Sequence, residues 1–148
     1  MQWPLPFPEW YLLSTPNRLV LVFTDAGPID EKAVSMTDCL FCRIIRGEVP
    51  SKKVFEDEHT FAFEDINPQG PTHVLVIPKQ HITGLKEANT ADAEIVGRCH
   101  LTAAKIARQR SIEDGYRTVL NVGPKAGQSV FHLHVHLIGG RPLHWPPG

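Results

Sequence analysis

The stretch Phe131-His132-Leu133-His134-Val135-His136-Leu137-Ile138 constrains this chain more than any other. Imidazole and aliphatic side chains alternate, which is a strand pattern. It sends Leu133, Val135 and Leu137 to a core and His132, His134 and His136 to the opposite face. Three imidazoles on one face of a buried strand are costly unless each finds a partner. The bland explanation is three incidental histidines, each satisfied by a hydrogen bond. Two functional explanations compete with it. Neutral imidazole is a common zinc ligand. It is also a nucleophile that can attack phosphorus and form a covalent intermediate, with a neighbouring histidine fixing its tautomer.

A regular pattern surrounds this strand. Cys39 to Arg46 predicts a short helix, capped by Thr37 or Asp38 and stopped by Gly47. Strands are expected at Lys53 to Glu56 and Thr60 to Asp65, separated by the turn Asp57-Glu58-His59, with Phe61 and Phe63 on one face. Asn67 to Pro71 is a loop, and His73 to Ile77 is a strand buried on both sides and closed by Pro78. Asn89 to Arg110 is the one long helix, capped by Asn89 or Thr90, with an apolar stripe of Val96, Cys99, Ala103 and Ile106. Arg117 to Val122 and Val130 to Ile138 complete the strands, joined by the loop Gly123 to Gly127. The expected fold class is α+β, a five-stranded antiparallel sheet with one long helix and a short N-terminal helix.

Residues 1–35 read differently. They hold five of the 13 prolines, two of the three tryptophans and no histidine, and only Arg18 to Phe23 could pass for a strand. The segment has neither a secretory cleavage pattern nor the arginines of a transit peptide. It is expected to lie outside the fold as an upstream translation start or an added segment, with residues 36–148 as the domain. A net charge of −1 gives no support for a nucleic-acid-binding surface, and no nucleic-acid partner is expected. The longest apolar run, Leu19 to Phe23, is far short of the roughly 20 residues of a membrane helix. Three cysteines do not make a disulfide framework, so a reducing, cytoplasmic compartment is expected.

Several separated motifs agree in order and spacing. The histidine strand, the stretch Phe63 to His81, the stretch Ala126 to His136 and the ending Gly139 to Gly148 resemble the histidine-triad (HIT) superfamily, in particular its Hint-type purine nucleoside phosphoramidase branch. The resemblance implies a HIT-like fold over residues 38–148 and a hydrolase cleaving the P–N bond of purine nucleoside 5′-phosphoramidates. It makes His134 the nucleophile that becomes nucleotidylated, His136 its supporting neighbour and His73 a member of the same network. It assigns Asp65 and Ile66 to the ribose and base pocket. It assigns Asn121 and the run Gly127, Gln128 and Ser129 to the phosphate, through backbone N–H groups and a hydroxyl. Taken alone, the Gly127 loop would read as an ordinary hairpin turn. A homodimer is implied, with the long helix and a strand at the interface and the tail bearing Trp145 reaching the partner's site.

The Cys39-x2-Cys42 pair has the spacing of a zinc knuckle. A redox pair normally follows the first strand of a thioredoxin-like unit, whereas this one precedes the core strands; two plain core cysteines are the remaining explanation. In a subset of the superfamily such a pair is completed by the positions of His81 and His132, which would make a closed structural zinc site of Cys39, Cys42, His81 and His132. Cys99 reads as core, and His59, His100 and His144 as surface or satisfied residues. Two alternatives stay open. One is a dinucleoside polyphosphate hydrolase of the same fold, against which the glycine-rich, tryptophan-containing tail weighs. The other is a nucleotide- or zinc-binding adaptor with incidental turnover.

Overall fold

The computed structural model describes residues 38–147 and, before them, residues 23–24 and 27–28. The chain divides into two units, Met1–Glu31 and Lys32–Gly148. In the first, β1 (Phe23–Thr24) pairs antiparallel with β2 (Gly27–Pro28). The expectations for Arg18 to Val22 and for a start at Met36 lie outside the described residues.

The second unit runs α1 (Leu40–Ile45), β3 (Lys53–Glu56), β4 (Thr60–Glu64), β5 (Thr72–Pro78), α2 (Ala93–Gln109), β6 (Tyr116–Val119) and β7 (Val135–Gly139). The five strands form one antiparallel sheet in the order β3-β4-β5-β7-β6. This is the expected α+β architecture. Central β5 is buried along its whole length, and its alternation splits the core in two. Val74 and Val76, with Ala62, Leu133, Val135 and Leu137, pack against Cys99, Ala103, Ile106 and Ala107 of α2. Leu75 and Ile77, with Phe61 and Phe63, pack against Phe41 and Ile44 of α1. The sheet therefore lies between the two helices, and α1 covers the histidine face. Fully burying each large side chain contributes about 1.5–3 kcal/mol.

Local chemistry sets the helix ends. Asn89 accepts from Ala91 N–H, and the Asp92 carboxylate accepts from Asn89 N–H, a reciprocal cap on a short 3-10 turn (Thr90–Asp92) that leads into α2. α1 begins at Cys39, which makes no side-chain capping bond, in place of the expected Thr37 or Asp38 cap. It ends as expected. Gly47 takes φ = 75°, its N–H donates to Ile44 O, and Glu48 N–H donates to Arg43 O.

The largest departure from expectation concerns the histidine strand. The ladder of β7 begins at Val135, so His136 is in it and His132 and His134 precede it. The alternation survives, since Leu133 packs in the same cluster as Val135 and Leu137. What replaces the missing ladder is remote: Leu133 N–H donates to Ile82 O in the segment after β5. β6 is likewise shorter than Arg117 to Val122, because the chain turns into the 3-10 turn Pro124–Ala126.

Candidate functional site

Strand register brings the histidines together. On β5 and β7, His73 pairs with Ile138 and Leu75 with His136, so His73 and His136 are diagonal neighbours on the α1 face. His73 Nε2 lies 2.9 Å from His136 Nδ1. The rings of His134 and His136 meet edge to face at 5.0 Å, and Phe41 of α1 stands edge-on to His134 at 5.4 Å. Phe41 escaped the sequence reading, although it lies between the two cysteines of a helix that had to bury something.

Backbone partners fix the tautomers, because a carbonyl only accepts and an N–H only donates. His134 Nδ1 is 2.7 Å from His132 O, so Nδ1 carries the proton and Nε2 keeps its lone pair. Burial pushes His134 below the usual histidine pKa, which keeps it neutral. Gln69 N–H donates to His73 Nδ1 at 3.0 Å, which places the His73 proton on Nε2. That proton faces His136 Nδ1 and, at 3.3 Å, Asp65 Oδ2. His136 Nδ1 then accepts, and its Nε2–H becomes a buried donor without a protein partner. Burial, and then the neighbouring His134 and His73, push His136 down to about 4, against the pull of Asp65.

Asp65 and Ile66 line a groove of about 480 Å³ together with Ile44, Pro50 and Phe63. Ile66 is 92% exposed there, an apolar side chain held out to solvent. Asp65 thus touches both the groove and the histidine relay. Asn121 stands beside Gly127, with its Nδ2 3.7 Å from where a Cβ on that glycine would sit. The Gly127 and Gln128 N–H groups donate inside their own loop, to Pro124 O and Gly123 O. The Gln128 side chain is also occupied, accepting from Gly123 N–H and donating to Thr83 O. Those two backbone donors, expected for a phosphate, are spent on the turn, which leaves Ser129 and Asn121 as the free polar groups. Trp145 is 84% exposed, one residue beyond His144, whose carbonyl accepts from Arg117 at 2.8 Å.

A second cluster lies beyond His132. Cys39, Cys42, His81 and His132 bring four ligand atoms within 4.8 Å of one another. Tetrahedral zinc with bonds of about 2.3 Å to sulfur and about 2.05 Å to nitrogen requires S···N edges of about 3.6 Å and an N···N edge of about 3.4 Å. Three of the four S···N distances are 3.3, 3.5 and 3.5 Å, and the N···N distance is 3.2 Å. His132 Nε2 donates to Pro78 O at 2.8 Å, so its Nδ1 lone pair faces the cluster centre. Burial holds that ring neutral, pushed down to about 4. The four residues fit the metal. Without a cation, burial and then Cys39 push the Cys42 thiol up to about 11, and a bound cation reverses that preference. Asp65, His73 and His136 also converge, but the Gln69 N–H forces a proton onto the His73 nitrogen that would have to ligate, so that group is a hydrogen-bond relay. Gln69 and the carbonyls of Pro78 and His132 had no sequence signal, since any residue supplies them. Cys99 is fully buried in the core, and His100 and His144 are exposed.

A neutral imidazole with a bare Nε2, packed against a second histidine and joined through Asp65 to an apolar groove, is the arrangement of a histidine-triad protein. The chain belongs to that family: the HIT domain model matches residues 46–143. An uncharacterized HIT-like protein of Synechococcus elongatus is 51% identical over 111 residues, covering 75% of this chain and 97% of that one. A 14 kDa zinc-binding protein of Zea mays is 52% identical, covering 74% and 87%. A protein of Arabidopsis thaliana named adenylylsulfatase HINT1 is 50% identical, covering 74% and 76%. A solved HIT family hydrolase of Legionella pneumophila superimposes with a TM-score of 0.73 at 47% identity, covering 75% of this chain and all of that one. Among the described residues no helix is long and apolar enough to cross a membrane.

Proposed function

We propose that this protein is a nucleotide hydrolase that cleaves the P–N bond of purine nucleoside 5′-phosphoramidates through a nucleotidyl-His134 intermediate. The observation that carries the proposal is the 2.7 Å bond from His134 Nδ1 to His132 O, which leaves Nε2 neutral and nucleophilic. In the first step Nε2 forms a bond to the α-phosphorus as the P–N bond breaks, and the leaving amine takes its proton from solvent. The unpartnered His136 Nε2–H, on the ring that packs edge to face with His134, is the natural group to face substrate oxygen or leaving nitrogen. In the second step water attacks phosphorus and loses a proton to solvent as the P–Nε2 bond breaks, which returns neutral His134 and releases the monophosphate.

The nucleoside lies in the groove of Asp65 and Ile66, while Ser129 and Asn121 hold the phosphate. Cys39, Cys42, His81 and His132 hold zinc, as the name of the maize relative supports. With four protein ligands the ion leaves no open position, so it supplies fold stability and not an activated water. The enzyme acts as a homodimer. Leu101 on the outer side of α2 is 71% exposed and β6 is an edge of the sheet among the described residues, which supports an interface there, with the partner's Trp145 tail beside the site. Residues 36–148 form the catalytic domain, with residues 1–35 outside it, and the three free cysteines suit a cytoplasmic setting. A second substrate has one specific support, the name of the Arabidopsis relative. Adenylyl sulfate would form the same intermediate with sulfate as leaving group.

Hydrolysis of adenosine 5′-phosphoramidate and of adenylyl sulfate by the purified protein and by His134→Ala tests the proposal. The variant is expected to lose activity by at least about 10³-fold while still binding the monophosphate. Equal rates in both proteins would remove His134 as nucleophile. Activity on the sulfate alone would move the substrate but keep the site.

A further inference from the structure

The nucleophile sits where the sheet does not hold it. The β7 ladder starts at Val135, and residues 132–134 are fixed by other means. Leu133 N–H is held by Ile82 O, one residue beyond His81. The His132 ring is held at one nitrogen by Pro78 O and at the other by Cys39, Cys42 and His81. His132 O in turn accepts the Nδ1 proton of His134. One residue thus belongs to the ligand cluster through its ring and to the nucleophile through its carbonyl. Phe41, between the two cysteine ligands, stands edge-on to both the His132 and His134 rings at 5.9 and 5.4 Å.

Resting on the reading of His134 as nucleophile, we propose that the Cys39–Cys42–His81–His132 cluster is a conformational control on catalysis, with His132 as the positioning residue. When the cluster holds its ion, the His132 peptide is fixed and its carbonyl selects the His134 tautomer with a bare Nε2. When the ion leaves, the His132 ring keeps the Pro78 bond and exchanges a coordinate bond for the weaker thiol and imidazole contacts of Cys39, Cys42 and His81. The 131–134 segment gains freedom, and the His134 ring samples orientations in which Nε2 points away from phosphorus. The groove takes most of its lining from β4 and the loops beside it and only Ile44 from α1, so most nucleoside contacts outlast the loss of the ion. The consequence is a loss in kcat with little change in nucleotide affinity, since a small misplacement of a reacting group costs rate far more than binding.

The experiment compares the full chain loaded with zinc, stripped by a chelator, and reloaded with cadmium, whose longer ligand bonds spread the cluster to which His132 belongs. Three quantities are read: kcat on adenosine 5′-phosphoramidate, the dissociation constant for AMP, and the His134 ring-nitrogen tautomer by 15N NMR. Stripping is expected to lower kcat by about 10- to 100-fold while the AMP constant stays within about 2-fold. The His134 signal is expected to change from a single Nδ1–H tautomer to a mixture, and zinc is expected to restore it. Unchanged kcat and an unchanged tautomer in the folded, stripped protein would overturn the proposal. Should stripping unfold the chain, the cadmium form decides. A shifted tautomer with lowered kcat supports the linkage, and identity with the zinc form rejects it. The NMR comparison needs no substrate, so it still decides the linkage if the zinc protein proves inactive and the phosphoramidase reading falls.

Discussion

Three histidines at alternate positions have three different fates here, and the difference lies in what meets each ring. His132 turns one nitrogen to a carbonyl and the other to the Cys39–Cys42–His81 cluster. His134 gives its Nδ1 proton to a carbonyl and keeps Nε2 free. His136 accepts from His73 and keeps a buried N–H unspent. That last ring makes stability depend on pH. Its pKa is about 4 in the folded chain and about 6.5 when unfolded. Between those values the unfolded state binds more protons, so its contribution is full above about pH 6.5 and is lost as pH falls towards 4. Urea midpoints measured from pH 7 to pH 4 should therefore fall more steeply for the native chain than for His136→Asn. Parallel curves would mean that the ring is not held neutral.

Much of the element order was legible because it rests on local chemistry. Asn89 with Asp92 is a capping pair three residues apart, Gly47 takes the positive φ that closes a helix, and Phe61 and Phe63 alternate around buried Ala62. The stripe on α2 was legible for the same reason, and it carries a contrast. Ile106 is fully buried and Leu101 is 71% exposed on the same helix. Ile106→Ala should cost about 2–5 kcal/mol in urea unfolding, whereas Leu101→Ala in the separated protomer should stay within about 0.5 kcal/mol. A comparable loss at both positions would place Leu101 in the core. What stayed hidden was non-local. The start of β7 depends on Ile82 O reaching Leu133, and the donors of Gly127 and Gln128 are consumed by a turn whose closure no single residue announces. Residue type fixed which side chains could do chemistry, and the backbone decided which nitrogens were free.

The two helices divide the sheet's labour. α2 covers one face and supplies most of the core, while short α1 covers the other and brings cysteines, Phe41 and the histidines to one place. Leu101 and Trp145 are exposed and β6 ends the sheet among the described residues, surfaces which the proposed homodimer would use. Leu101→Glu should convert a dimer to a monomer in sedimentation analysis with the fold intact. Sedimentation of the native chain as a monomer at all concentrations would remove the interface and with it the role of the partner's tail.

The covalent intermediate remains the most direct target. Rapid quenching of the protein during turnover of adenosine 5′-phosphoramidate, followed by intact and peptide mass spectrometry, reads it without assumption about rate. One adenylyl group on the peptide bearing His134, absent in His134→Ala, is the predicted result. Sustained turnover with no adduct, or an adduct on another residue, would contradict His134 as the nucleophile.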